Sequence, residues 1–132
     1  MDARSERSLV GVHPDLVRVV REAYVDWTSD GMNSFVVIEG IRAVIRQAEL
    51  FKAGASMTMD SRHITGHAVD LACMVNGEIR WDWPLYFRLA AVMKSTALRL
   101  GVDLVAGADW AQFRDGPHYE LSRRRYPVEL AA

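Results

Sequence analysis

The sequence predicts an α+β fold in which helices pack on a small, mainly antiparallel sheet. Two observations carry that prediction. Apolar residues recur at helical spacing through about 14–28, 43–52 and 84–100, while shorter apolar runs of strand length lie at 35–38, 67–75, 102–105 and 118–121. Asn76-Gly77 then joins one of those runs to its return by a tight, antiparallel hairpin turn.

His13-Pro14-Asp15 opens the first predicted helix, with proline suited to the first turn and an acid complementing the helix dipole. Leu16, Val19, Val20, Ala23 and Trp27 form its inner stripe, and Ser29-Asp30-Gly31 breaks it. Phe35-Val36-Val37-Ile38 reads as a buried strand ending at Gly40. A second helix is expected from about Ala43 to Lys52, closed by Gly54, and residues 55–66 are polar enough for a loop. His67 to Val75 reads as a strand, with a short return over Glu78 to Trp81. Pro84 begins the longest helix, with Leu85, Leu89, Val92, Met93, Thr96 and Leu100 facing inward, and Gly101 ends it. Val102–Val105 and His118–Leu121 are the last two strands, separated by a loop rich in glycine and aspartate.

With 132 residues, half of them apolar and a quarter charged, the composition is that of a globular chain expected to form one domain over 1–132. The 16 basic and 17 acidic side chains leave a net charge of −1, which argues against a nucleic-acid partner. Arg123-Arg124-Arg125 is the one dense basic run and reads as a solvated turn. Cys73 is the only cysteine, set between Ala72 and Met74, so it is expected to be a buried thiol with no disulfide partner in the chain. The first eight residues lack the apolar core of a signal peptide, and no run approaches the ~20 apolar residues that span a membrane. The expectation is a monomer made in the cytoplasm, without membrane insertion.

Two segments carry candidate chemistry. In Ser61-Arg62-His63-Ile64-Thr65-Gly66-His67-Ala68-Val69-Asp70, Asp70 falls within an apolar strand and shares a face with Ala68 and Ala72. A carboxylate placed there must be paired or must coordinate a metal, and the small neighbours leave room beside it. His63 precedes the Gly66 turn and can fold back over that face. In Asp115-Gly116-Pro117-His118-Tyr119-Glu120-Leu121, the rigid Gly-Pro turn brings Asp115 close to His118 at the mouth of a strand. Two imidazoles and one carboxylate, with a fourth position left to water, are the ligand count of a catalytic zinc site. Asp115 would supply the further carboxylate that general-base hydrolysis needs. Chemistry alone leaves the plainer alternative open, since lone histidines are more often core or surface residues than ligands.

Ser61-x-His63-x-x-Gly66-x-Ala68-x-Asp70, followed by Asp115-x-x-His118-Tyr119-Glu120, resembles the paired motif of the VanY-type zinc peptidases. These are the D-alanyl-D-alanine carboxypeptidases and phage L-alanyl-D-glutamate endopeptidases of the LAS group. Glu39-Gly40-Ile41-Arg42, with Gln47 five residues on, is similar to that family's Gly-x-Arg…Gln segment, and Leu9 to Leu16 resembles the opening of its phage endolysin branch. The resemblance implies a hedgehog/D-Ala-D-Ala-peptidase-like fold, zinc held by His63, Asp70 and His118, and Asp115 as catalytic base. It further implies that Arg42 faces the scissile carbonyl, with Ser61 and Gln47 as substrate or supporting contacts. The expected substrate is the peptidoglycan stem peptide, cut at the L-alanyl-D-glutamate bond by a phage or prophage endolysin that reaches the wall after the membrane is breached. Alternatives are a D-alanyl-D-alanine carboxypeptidase or dipeptidase on the same scaffold, and a zinc-binding interaction domain without catalysis.

Elsewhere the plainer readings hold. His67 is expected to face solvent from its strand, His13 to cap or decorate a helix start, and Trp81, Trp83 and Trp110 to be core or cleft wall. Glu120 shares a side with His118, where it either orients a ligand or stands on the strand surface.

Overall fold

The computed structural model describes residues 1–54 and 61–128. In chain order it contains α1 (Ala3–Ser8), α2 (Pro14–Trp27), β1 (Asn33–Glu39), α3 (Val44–Lys52), β2 (Ala68–Val75), β3 (Glu78–Ile79), α4 (Trp83–Leu100), β4 (Leu104–Ala106), a 3-10 turn (Gly107–Asp109) and β5 (His118–Leu121). The sheet runs β1-β2-β5-β4, every pairing is antiparallel, and β3 pairs with the far end of β2. The fold is α+β.

Helix α2 starts as its sequence dictates. His13 is the N-cap, its Nδ1 accepting from the Asp15 amide at 3.1 Å, and Pro14 occupies the first turn. Its buried stripe is Leu16, Val19, Val20, Ala23 and Trp27, which packs with Leu85, Leu89 and Met93 of α4 into one core. Strand alternation on β2 sends Val69, Leu71 and Cys73 into that core, leaving Ala68, Asp70 and Ala72 on the opposite face. The core therefore fixes which side of the sheet carries the polar chemistry.

Boundaries depart from the sequence pattern where a local hydrogen bond takes a group out of the ladder. Val102 was expected in a strand, but its amide donates to Ala97 O at 2.8 Å and closes α4 behind Gly101, so β4 starts at Leu104. The His67 amide goes to Arg62 O at 2.9 Å, and β2 begins one residue later. The ring of His67 is half-buried, 5.4 Å from that of His13, rather than facing solvent from a strand. The hairpin return is only Glu78–Ile79, shorter than 78–81. Trp81 and Trp83 are 58% and 45% exposed, so neither is a core residue.

The helix α1 has no counterpart in the hydrophobic pattern. It is six residues long, capped by Asp2, and anchored through buried Ser5, whose Oγ accepts from the Val37 amide at 3.0 Å. The expected loop over 55–66 lies outside the described residues at 55–60, and 62–66 form turns. Cys73 is buried, and Arg123, Arg124 and Arg125 are exposed in a turn. Among the described residues no helix is long and apolar enough to cross a membrane.

Candidate metal centre

The cluster begins with strand register. Asp70 of β2 and His118 of β5 are direct cross-strand partners, so their side chains leave the sheet side by side. His63 arrives from the turn over 62–66, which is fastened from both flanks: Arg42 N donates to His63 O at 2.8 Å and His13 N to Gly66 O at 2.8 Å. Gly66 has a φ of +76°, and a Cβ there would come within 2.4 Å of Gly11 O. Only glycine allows the turn to close that tightly.

The geometry converges on one oxygen. His63 Nε2 lies 3.2 Å and His118 Nδ1 3.3 Å from Asp70 Oδ1. On the far side of each ring an acceptor is already in place. His63 Nδ1 donates to Gly40 O at 2.9 Å, and His118 Nε2 donates to Glu120 Oε1 at 2.8 Å. With those nitrogens carrying the hydrogens, the converging nitrogens present lone pairs. His63, Asp70 and His118 each offer one donor, and the three donors lie within 4.8 Å of one another. Zinc with ~2.0–2.1 Å bonds needs tetrahedral ligand spacings of roughly 3.3 Å, and both nitrogen–oxygen distances to Asp70 match that. The residues fit the ion.

Electrostatics separate the site's two aspartates. Burial by itself would raise the Asp70 carboxyl, but with no ion bound and hydrogens on the inner imidazole nitrogens, hydrogen bonds from His118 and His63, together with their charge, hold it well below the usual carboxylate range. Burial likewise works against a charged His118, yet Asp70 and Glu120 outweigh it and push the imidazole up to about 9. Asp115 moves the other way. Burial and the negative charge of Asp70 raise it, against partial relief from His118, His63 and Arg42. Its backbone is held over the site by Gly107, whose carbonyl accepts from the Asp115 amide at 3.1 Å, and a Cβ on Gly107 would sit 2.3 Å from Asp115 O.

Arg42 completes one wall. Its guanidinium is gripped by Glu39, with Nη2 to Oε2 at 2.8 Å and Nε to Oε1, and by Gln47 Oε1 at 2.6 Å; Nη2 lies 3.8 Å from Asp70 Oδ2. Gln47 is fully buried and supports Arg42 rather than lining an open cleft. Ser61 Oγ accepts from the His63 amide at 3.2 Å, so it braces a turn. A bulge at the end of β1, between Val37 and Glu39, sets Glu39 opposite Asp70. The sequence left Glu120 between orienting a ligand and standing on the strand surface, and its contact with His118 favours the first, whereas Glu39 was given no role. For Glu120 the signal was the i, i+2 spacing from His118 on a strand; for Glu39 there was none, because a bulge leaves no mark in the pattern. Trp110 stands beside His118 with ring centroids 5.0 Å apart. Trp81, Trp83, Tyr86 and residues 114–117 line a groove of about 210 Å³ that includes Asp115.

Known proteins resemble the chain over most of its length. The family model described as phage L-alanyl-D-glutamate peptidase matches residues 1–126. The L-alanyl-D-glutamate peptidase of Escherichia phage T5 is 35% identical over 126 residues, covering 92% of this chain and 88% of that protein. The peptidase of the same name from Listeria phage A118 is 31% identical; the match covers 93% of this chain but only 43% of that longer protein. Among solved structures, the Serratia marcescens L-Ala D-Glu endopeptidase ChiX superposes with a TM-score of 0.89 at 43% identity, covering 97% of this chain and 93% of that one. The vancomycin-resistance D,D-pentapeptidase VanY, solved in complex with Zn(II), shares the fold at a TM-score of 0.57 and 16% identity, over 83% of this chain and 72% of that one. The chain belongs to the phage L-alanyl-D-glutamate peptidase family.

Proposed function

We propose that this protein is a zinc peptidase that hydrolyses the L-alanyl-D-glutamate bond of the peptidoglycan stem peptide. The observation that carries the reading is the convergence of His63, Asp70 and His118 on one point, with a second, differently tuned aspartate beside it. His63 Nε2, Asp70 Oδ1 and His118 Nδ1 would hold the ion. A zinc ion bound there supplies Lewis acidity, which makes water a competent nucleophile at neutral pH.

The remaining work falls to the chain. Gly40 O and Glu120 fix the two imidazoles in the tautomers that face the ion. Asp115 takes the proton from the attacking water as its oxygen bonds to the alanyl carbonyl carbon. It then delivers that proton to the departing glutamyl nitrogen as the C–N bond breaks. Arg42, held in position by Glu39 and Gln47, stabilises the charge that develops on the carbonyl oxygen. Such a pre-oriented cation and poised base have no use in a site that only binds metal, which disfavours a non-catalytic interaction domain. As a phage-type lysin the protein would be made in the host cytoplasm and reach the wall once the inner membrane opens.

Mass spectrometry of the products from a defined muropeptide tests the reading directly. A new glutamyl amino terminus is the expected product. Release of free D-alanine would make the protein a carboxypeptidase instead, and new sugar reducing ends would overturn the peptidase reading.

A further inference from the structure

The groove of about 210 Å³ next to the metal cluster contains a cation that the proposed chemistry does not use. Arg114 lines it together with Trp81, Trp83, Tyr86 and Asp115. Among the described residues Arg114 makes one hydrogen bond, from Nε to Trp110 O at 3.1 Å, and pairs with no carboxylate. Both terminal nitrogens of its guanidinium are thus left for a ligand. The backbone reinforces this placement: Phe113, immediately before it, sits at a φ of +53°, a left-handed conformation that a bulky side chain adopts only at a cost. Trp81 stacks on Tyr86 with rings 3° from parallel and centroids 6.0 Å apart, which gives the groove a rigid apolar wall.

Orientation of the substrate follows from where the proton goes. The amine released on hydrolysis is the nitrogen of the glutamate, and it takes its proton from Asp115. The residue on the leaving side therefore lies against Asp115, in the groove that Arg114 rims. Glutamate has two side-chain or main-chain carboxyl groups, and one continues the peptide while the other stays free and negative. We propose that Arg114 binds this free carboxylate, and that Trp81 and Trp83 cover the methylenes beside it, so that the groove is the subsite that selects glutamate on the leaving side. The assignment rests on the peptidase reading above and adds the origin of its specificity. A guanidinium offers the paired donors that a carboxylate accepts two at a time, and aromatic faces shield that contact from water.

The test uses two synthetic stem peptides that differ only in whether the free glutamate carboxyl is a carboxylate or a primary amide. Zinc-loaded wild-type protein should cleave the carboxylate form with a kcat/KM higher by on the order of tenfold or more, because a site built for a charged partner rejects the analogue lacking it. Arg114→Ala should lose that advantage on the carboxylate, mainly through KM, and leave the amide almost unchanged. Arg114→Lys should keep part of it, since charge survives while the paired geometry does not. Binding of both peptides to Asp115→Asn, measured calorimetrically, should show the same preference in Kd without turnover. Equal losses on both peptides in Arg114→Ala would reveal a merely structural role, and an unchanged preference would remove Arg114 from recognition; either result overturns the subsite. A wild-type enzyme that cleaves neither peptide overturns the peptidase reading itself, and the subsite with it.

Discussion

Asp70 and Asp115 bring the same side chain to the same site from two kinds of structure. Asp70 is carried by β2, in register with His118 on β5, and two imidazoles lock it as an anion. Asp115 comes from the loop between the 3-10 turn and β5, and burial beside the fixed charge of Asp70 makes its ionisation harder. A ligand needs a permanent charge on a rigid element, whereas a base needs an affinity for protons and room to exchange them. The sheet supplies the first and the loop the second. When neighbouring carboxylates are driven apart in pKa, their environments assign their tasks.

The contrast breaks most completely at Asp70. Asp70→Ala removes the oxygen on which both imidazoles converge, so elemental analysis should find no zinc retained after dialysis, and peptide cleavage should be abolished. Full zinc content in that variant would show that the ion sits elsewhere. Next comes Asp115→Asn, which keeps shape but cannot hold a proton. It should retain zinc through His63, Asp70 and His118 while losing ~10²- to 10⁴-fold in kcat. Near-normal turnover in zinc-replete protein would leave Asp115 as a turn residue and require another base.

A smaller effect is expected at Glu120. Among the described residues its carboxylate pairs with the outer nitrogen of His118, and loss of such a partner costs ~10- to 100-fold in metal affinity. Glu120→Gln should therefore bind zinc more weakly without losing the site. The same residue sets a pH signature. In the metal-free protein His118 is raised to about 9 by Asp70 and Glu120, so a proton competes with zinc across neutral pH. Wild-type affinity should climb until pH passes about 9, and Glu120→Gln should level off at a lower pH. Identical pH profiles would show that Glu120 has no hold on the ring.

Much of this arrangement was legible in the residues because it follows short-range rules. Alternation placed Asp70 on the alanine face of β2, and Asn76-Gly77, with φ of +50° and +82°, turns the hairpin as the dipeptide predicts. The Pro14 start and Gly101 stop were equally readable. What escaped depends on contacts between distant segments. Ser5 ties α1 to β1 across 32 positions, and no periodicity reports that. The bulge that turns Glu39 toward Arg42 leaves the apolar pattern of β1 intact. Gln47 reads as an ordinary polar helix residue until the structure buries it against Arg42.

The finest test of the Asp70–Asp115 contrast is one of stability rather than rate. Because the folded-state pKa of Asp115 is raised above its unfolded value near 3.8, the native state holds that proton more tightly than the unfolded chain does. Its favourable contribution is therefore complete below the unfolded value and is lost as pH rises through the folded one. At neutral pH the ionised Asp115 should therefore weaken the metal-free fold slightly, since burial and the charge of Asp70 disfavour its anion. Asn cannot ionise, so metal-free Asp115→Asn should melt slightly above wild type at pH 7, and the gap should close as pH approaches 4. Asp70→Asn should do the opposite under the same conditions: Asp70 is held low, so its contribution is present at neutral pH, and the variant loses it along with the partner of both imidazoles. Two Asp→Asn changes in one site would then shift the melting temperature in opposite directions. An Asp115→Asn protein that melts below wild type at pH 7 would mean that the native fold stabilises its charge, and the distinction between a fixed anion and a poised base would fail.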